Sequence, residues 1–330
     1  MSQIGIGVLG AARITDKALV HPAAATPACR LVAIAARDRS RADSFAAQHG
    51  IAEAMDHYDD VLAAESVDLV YNPLPINLHA DWTIKALQAG KHVLCEKPFA
   101  MNVEEARLML AAAKVSGKRL IEAFHYRYHP AFETCLAWLA ADEIGELKEV
   151  HATFNVAIKD NGSEIRHRVE TGGGAMMDLG CYPLHWALSV CAEAPTTIEA
   201  SATLTPVGVD ESMSTDLSFA SGATAHLTSS MAAGMAFHAE MKLIGSAGEI
   251  EFINPLAPHH PQLPGRLRTS AGREAEISPT STYDYQLAAV VEALRSGAAL
   301  PTEGDMILRQ QEALDEVYTA AGLRHLRYIT

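Results

Sequence analysis

His92-Val93-Leu94-Cys95-Glu96-Lys97-Pro98 is the stretch that decides the fold. Val93 to Cys95 is an apolar run that reads as a short buried strand. It stops at a carboxylate, an ammonium and a proline. Proline has no N–H to give a ladder, so the strand cannot run through it. Glu96 and Lys97 therefore belong at the carboxyl end of a strand, the edge where open parallel sheets bind ligands. A lysine there is a usable acid or base, because partial burial readily lowers its pKa. The bland alternative is a surface turn with a solvated ion pair, and the flanking sequence has to choose between them.

Upstream, Ile4 to Leu9 is strand-like and leads into Gly10-Ala11-Ala12-Arg13-Ile14-Thr15, where a helix begins. Strand, tight turn and helix make the phosphate-cradling start of a dinucleotide fold. The Gly-x-Gly-x-x-Gly fingerprint is incomplete, with Gly10, Ala12 and Thr15 in its three positions. A second apolar run, Leu31 to Ala35, precedes Ala36-Arg37-Asp38-Arg39-Ser40-Arg41. NAD-binding versions carry an acid at the end of this strand, where Ala36 stands. A carboxylate would repel a 2′-phosphate, whereas a guanidinium pairs with it, so Arg37 favours NADP over NAD. An alignment slipped by two would put Asp38 in the acid position, and a solvated helix start is the bland reading of the arginines.

The alternation continues. Ser40 to Gln48 reads as a helix with Ser40 as N-cap. Val67 to Tyr71 is a strand ending in Asn72-Pro73-Leu74-Pro75, and Asn77 to Ala89 is a helix. Asn102 and Glu105 form a capping-box pattern for a helix ending near Gly117, and Leu120 to Phe124 is a further strand. Regular alternation implies an α/β Rossmann domain over residues 1–124, a parallel sheet with helices on both faces. Asn72, Pro73 and Leu74 fall at its cofactor edge. His79 is placed either towards the pyrophosphate or as a cap.

From about residue 145 the period changes to two. Leu147–Ile158, Thr197–Thr205, Met213–Phe219, Ala223–Ser230, Phe237–Ile244 and Glu249–Ile253 alternate apolar and polar residues, with turns at Ser221-Gly222 and Ser246-Ala247-Gly248. Residues 125–330 are thus expected to form an α+β domain with a large, mostly antiparallel open sheet. One face carries Ser, Thr, Ala and Met and suits a second copy, which predicts a homodimer or homotetramer. Residues 255–282 read as a loop. Helices over Tyr283–Arg295 and Gly304–Gly322 close the chain and are candidates to pack back on the Rossmann domain.

Composition narrows the function. The net charge of −14 argues against nucleic acid and anionic membranes as partners. No apolar run is long enough to span a bilayer, and Met1-Ser2-Gln3 does not open a signal peptide. Cys29, Cys95, Cys135, Cys181 and Cys191 have no metal-ligand spacing, and they read as reduced thiols of a cytoplasmic protein. No metal is expected, His259-His260 included.

A second chemical cluster is Gly172-Gly173-Gly174-Ala175-Met176-Met177-Asp178-Leu179-Gly180-Cys181-Tyr182-Pro183-Leu184-His185. On a helix, Asp178, Tyr182 and His185 share one face at i, i+4 and i+7, a proton-handling set. An ordinary amphipathic helix with half-buried Tyr and His is the bland reading. Pro183 is a complication, since inside a helix it frees the carbonyl of Leu179 and forces a kink.

Gly10-Ala-Ala-Arg-Ile, Glu96-Lys97-Pro98 and Asp178-x-Gly180-x-Tyr182 together resemble the glucose–fructose oxidoreductase, inositol dehydrogenase and MocA (Gfo/Idh/MocA) family over essentially the whole chain. The resemblance implies hydride transfer between NAD(P) and sugars, polyols or related cyclic alcohols, in a dimer or tetramer built through the C-terminal sheet. It makes Lys97 the catalytic lysine and Asp178 the carboxylate that holds substrate or lysine. Tyr182 stands where inositol-dehydrogenase-like members carry a histidine, which points to the aldose- and dihydrodiol-oxidising branches. Ala36-Arg37 resembles the Ser-Arg pair of NADP-using members. The cofactor candidates are then Gly10, Ala12, Arg13, Ile14, Arg37, Asn72, Pro73, Leu74, His79, Glu96 and Lys97. The substrate candidates are Lys97, Arg127, Asp178, Tyr182 and His185, with Arg127 equally suited to a structural pair. Tyr182 is expected as the direct acid/base with Lys97 tuning it, and the reverse assignment stays open. The alternatives are an NADPH-dependent reductase of an anhydro-sugar or ketose, and a catalytically silent NADP-binding regulator.

Overall fold

In the computed structural model, residues 3–328 are described. The chain folds as two compact units. The first runs to Ala100 and takes up Glu104–His125 and Tyr283–Leu308, and the second holds Met101–Val103, Tyr126–Thr282 and the residues from Arg309 onward.

The first unit is built on six parallel strands: β1 (Ile4–Leu9), β2 (Cys29–Ala35), β3 (Glu53–Met55), β4 (Leu69–Asn72), β5 (His92–Cys95) and β6 (Leu120–Glu122). Their order is β3-β2-β1-β4-β5-β6, so the winding reverses between β1 and β4. That reversal is the topological switch point at which such sheets bind dinucleotides. Successive side chains leave a strand on opposite faces. Val93 and Cys95 enter one core with Leu9, Val70, Leu87 and Leu120. Leu94 enters the other with Ile6, Leu69, Tyr71 and Ile121. Burying each large apolar side chain contributes about 1.5–3 kcal/mol, so a run buried on both faces holds β5 in the centre of the sheet.

The sequence reading missed β3 and the helix Tyr58–Ala63, both short. The helix at Arg39–His49 starts one residue earlier than expected, because Asp38 takes the N-cap and accepts the amide of Ser40. The helix Val103–Ser116 begins directly after Asn102.

The second unit carries a seven-stranded sheet: β7 (Leu147–Asn155), β8 (Pro195–Leu204), β9 (Asp210–Phe219), β10 (Thr224–Ser230), β11 (His238–Gly245), β12 (Glu249–Ile253) and β13 (Arg266–Thr269). The order is β13-β12-β11-β7-β10-β9-β8. All neighbours are antiparallel except β7 and β10, which pair in parallel. β13 lies inside the stretch expected to be loop; its four residues are too few for periodicity to stand out among the surrounding prolines. The helix Pro130–Ala140 was also not anticipated, although Pro at its first position and His129 as N-cap are regular start signals.

The glycine-rich stretch is held from below by a single carboxylate. Asp210 accepts the amide of Met176 at 2.6 Å and the hydroxyl of Tyr318 at 2.7 Å. Gly174 has φ +123°, and a Cβ there would stand 2.1 Å from Asp210 Oδ1. Only glycine, which has no Cβ, tolerates both that backbone conformation and that approach. Asp210→Ala orphans two buried donors, each worth about 1–3 kcal/mol. Urea unfolding is expected to show a stability loss of about 2–4 kcal/mol, and an unchanged midpoint would reject Asp210 as the anchor.

Candidate active site

At the carboxyl edge of the first sheet the residues after β4 and β5 are tied to each other. Asn72, fully buried, donates from its side chain to Thr83 Oγ1 at 3.1 Å and to the His79 carbonyl at 3.3 Å, while its own Oδ1 accepts the amide of Leu74. The amide of Glu96 donates to the Asn72 carbonyl at 3.0 Å. The Glu96 carboxylate accepts the hydroxyl of Tyr71 at 2.7 Å. Burial, then the Glu96 charge, push the Tyr71 hydroxyl well above the usual phenol range, so it stays a donor.

His79 is buried rather than turned outward. Its Nε2 meets the Leu74 carbonyl at 2.8 Å, and its Nδ1 lies 3.1 and 3.2 Å from the carbonyls of Pro98 and Phe99. Burial pushes the imidazole down to about 4 against the pull of those carbonyls, and the charge of Lys97 acts in the same direction. Neutral, the ring has a single N–H to donate, to the Leu74 carbonyl on one side or to the Pro98 and Phe99 carbonyls on the other, and it sits between the turns after β4 and β5. Lys97 itself is half-buried, and the Lys97–Pro98 peptide is cis. Beside it, on β6, lies the buried carboxyl of Glu122, which no sequence pattern had singled out.

The turn after β1 suits a dinucleotide phosphate. Gly10 has φ +91° and donates its amide to the Ala35 carbonyl at 2.7 Å. Ala12 is the N-cap of a helix that starts at Arg13 and passes through a π turn at Asp16–Val20 to Ala25, so the amides at Arg13 and Ile14 open an anion-favouring terminus. Thr15, in the third fingerprint position, is buried inside this first turn. Arg41 donates to the Ala11 carbonyl at 2.7 Å. Arg37 is exposed at the end of β2, and its charge and amide act on the hydroxyl of Tyr58. Arg39 points elsewhere, paired with Asp43 and Asp56. Asp38 is engaged as a helix cap, with Ser40 donating both its amide and hydroxyl to it. Backbone amides and two guanidiniums at the tip of β2 form a donor set that fits a phosphorylated dinucleotide.

In the second unit the helix reading of Asp178, Tyr182 and His185 needs correction. Met176–Gly180 is a π turn, and regular α-helix runs only from Cys181 to Cys191. The Cys181 amide reaches back to the Met176 carbonyl. Pro183 then falls in the first turn of the α segment, where the widened turn before it makes room. Asp178 thus lies in the π turn, while Tyr182 and His185 lie on the α segment that follows. Its Oδ2 accepts Arg166 Nε at 2.6 Å, and Arg166 also donates to Glu164 at 2.9 Å. The charge of Asp178 holds the Arg166 guanidinium firmly protonated. Arg166 sits in an irregular stretch with no periodicity to announce it.

Tyr182 is packed among aromatic rings, with Phe154 edge-on at 5.6 Å and Tyr126 at 6.2 Å. His185 is fully buried and bonds through Nδ1 to the Tyr126 hydroxyl. Burial, helped by the Arg127 charge, pushes its pKa down to about 3, so it is neutral. Arg127 is paired with Glu133, the structural alternative weighed from sequence. Tyr126 and Arg127 belong to the second unit.

Comparison with known proteins agrees with this layout. Residues 4–124 match the oxidoreductase family with an NAD-binding Rossmann fold, and residues 132–251 match the Gfo/Idh/MocA C-terminal domain. The chain is 33% identical to a D-xylose 1-dehydrogenase (NADP(+)) of Haloferax volcanii, covering 96% of each. It is 34% identical to a dTDP-3,4-didehydro-2,6-dideoxy-α-D-glucose 3-reductase of Streptomyces violaceoruber, covering 96% of this chain and 95% of that one. The crystal structure of KijD10, a 3-ketoreductase from Actinomadura kijaniata in complex with NADP and TDP-benzene, superposes with a TM-score of 0.85 at 28% identity, over 97% of this chain and 98% of the other. An NAD-binding Rossmann unit followed by this second domain places the chain in the Gfo/Idh/MocA family of oxidoreductases.

Proposed function

We propose that this chain is an NADP-dependent oxidoreductase that moves hydride between the nicotinamide and a carbinol carbon of a sugar or polyol, with Lys97 and Tyr182 handling the hydroxyl proton. The observation that carries the reading is the buried turn that bears Lys97, where Tyr71, Glu96, Asn72 and His79 spend their polar groups on tying the ends of β4 and β5 together. A surface ion pair needs no such support.

Oxidation of an alcohol removes a hydride and a proton together. A free lysine titrates near 10.4 and a tyrosine near 10, so each needs a neighbour to act at neutral pH (roughly, by reference values). An ammonium beside a phenol favours the phenolate. Tyr182 then accepts the proton and Lys97 binds the same hydroxyl and tunes it. Asp178, oriented by Arg166, and His185, held through Tyr126, direct the remaining sugar hydroxyls. Bound nicotinamide supplies the hydride acceptor; Gly10, Ala12, Arg13, Ile14 and the turns at Asn72–Leu74 and Glu96–Lys97 are the residues that would hold the cofactor. Arg37 and Arg41 favour a 2′-phosphate, and Asp38, committed to its helix cap, leaves the acid position of an NAD site unfilled. The named relatives support both the phosphate and a sugar substrate.

The same site runs in reverse as an NADPH-dependent reductase of a keto sugar, a direction favoured by the 3-reductase relatives. The polar face of the second sheet suits a second copy of the chain, and buried thiols at Cys29, Cys95, Cys135 and Cys181 suit the cytoplasm. Among the described residues, no helix is long and apolar enough to cross a membrane.

Titration with NADPH, followed by a screen over D-xylose, other aldoses, inositols and dihydrodiols, tests the reading; binding without turnover on any of them would favour a silent regulator. Lys97→Met and Tyr182→Phe are each expected to lower turnover by about 10²–10⁴-fold while leaving the fold intact. Near-normal turnover in both would reject the site. Arg37→Ala should weaken NADPH about tenfold or more, since a charge-assisted pair is lost, with NADH unaffected. Equal loss for both cofactors would assign Arg37 another role.

A further inference from the structure

Glu122 is an acid buried where a sheet interior would ordinarily carry an apolar residue. It closes β6 and pairs in register with Cys95 of β5, two residues before Lys97. Register partners project from the same face, and here that face is the core entered by Cys95 and Leu120. Glu122 is 1% exposed. Its carboxyl accepts the amide of Phe99, two residues past Lys97, and its other oxygen, Oε1, has no hydrogen-bond partner among the described residues. A carboxyl left half-satisfied in a protein interior is costly. Its position beside the turn that carries a functional amine is therefore informative.

Several titratable groups surround it. Glu96 and Lys97 come from the end of β5, and Cys95 from β5 itself, its thiol pushed up by burial with Glu122 and Glu96 adding to the effect. His79, neutral, braces the Phe99 carbonyl from the helix His79–Gln88. Tyr71 of β4 bonds to Glu96, and Tyr283 acts on Tyr71 from the helix Thr282–Ser296. Lys97 is the cation of the group. Burial lifts Glu122 to about 8; the Phe99 amide lowers it, Glu96 raises it and Lys97 lowers it.

We propose that Glu122 is a positioning residue for Lys97: its carboxyl holds the turn after β5 through the Phe99 amide and, once ionised, adds a negative charge beside the Lys97 amine. The inference rests on the reading of Lys97 given above. Near pH 8 Glu122 passes from neutral acid to carboxylate, so the anionic charge beside the amine rises from one to two. Each added anion favours the ammonium, and the two groups titrate as a coupled pair.

The test reads Lys97 without needing a substrate. The nine lysines of the full chain are dimethylated reductively with ¹³C-formaldehyde, and their methyl resonances are followed from about pH 6 to 11, around the lysine reference value. The resonance missing from Lys97→Met belongs to Lys97. In Glu122→Gln its titration is expected to move to lower pH by about half a unit or more, with Lys242, ion-paired to Glu249 in the second unit, unmoved. A titration superimposable on wild type overturns the proposal. Should Glu122→Gln not fold, Glu122→Asp carries the test: drawing the carboxyl back by one methylene displaces the Lys97 titration if the role is real, and leaves it in place if it is not. Turnover by Lys97→Met would discard the catalytic assignment itself. A silent Lys97→Met beside an unmoved titration in Glu122→Gln discards this inference alone.

Discussion

A carboxylate cannot be buried at the end of a strand without a donor, and the hydroxyl of Tyr71 meets that need for Glu96. The bond joins neighbouring strands at the edge where the ladder runs out, at the point where Pro98 would otherwise leave the chain loosely held. Around it the turns after β4 and β5 close on each other through Asn72 and His79. Lys97 inherits its place from this arrangement.

The second unit meets the same need by other means. Three glycines, a wide helical turn and a proline would each weaken an isolated helix. Together they are stable because Asp210 and Tyr318 hold the start of the segment, while Gln310 donates to the Cys181 carbonyl at 2.8 Å. The result is an irregular stretch with fixed termini that carries Asp178 on its π turn and Tyr182 on the α segment after it. Arg166 then holds Asp178 by charge, and Tyr126 bonds to His185 inside the aromatic cluster that surrounds Tyr182.

Much of this was legible beforehand, and the reason differs from element to element. β5 and its terminal charges are local chemistry: apolar residues, then a charge pair, then proline. The strand–helix alternation is written in periodicity over long stretches, and so the parallel sheet follows. β3 and β13 escaped because three or four residues carry too little period to read. The π turn escaped because nothing in Met176–Gly180 alone opposes an α-helix; only Pro183 hinted at it. Glu122, Arg166 and Asp210 escaped for a deeper reason. Each matters through a partner far along the chain, and an acid in a strand or an arginine in a loop looks the same from sequence whether or not that partner exists.

The parallel pairing of β7 with β10 has a consequence for how such a protein can change. Hairpin sheets are stitched residue by residue, and lengthening one connection strains the next. Here β7 finds its neighbours on strands that arrive only after residues 156–194 have been traversed, so sheet assembly waits on non-local closure. The entropy of closing that excursion grows slowly with length, by roughly 0.6 kcal/mol per doubling. Lengthening the irregular part of that excursion, before the anchored segment at Met176, is thus thermodynamically cheap. Arg166, Asp178, Tyr182 and His185 all lie in that excursion, so the residues proposed to meet a substrate stand on a stretch whose length the sheet beneath it does not fix.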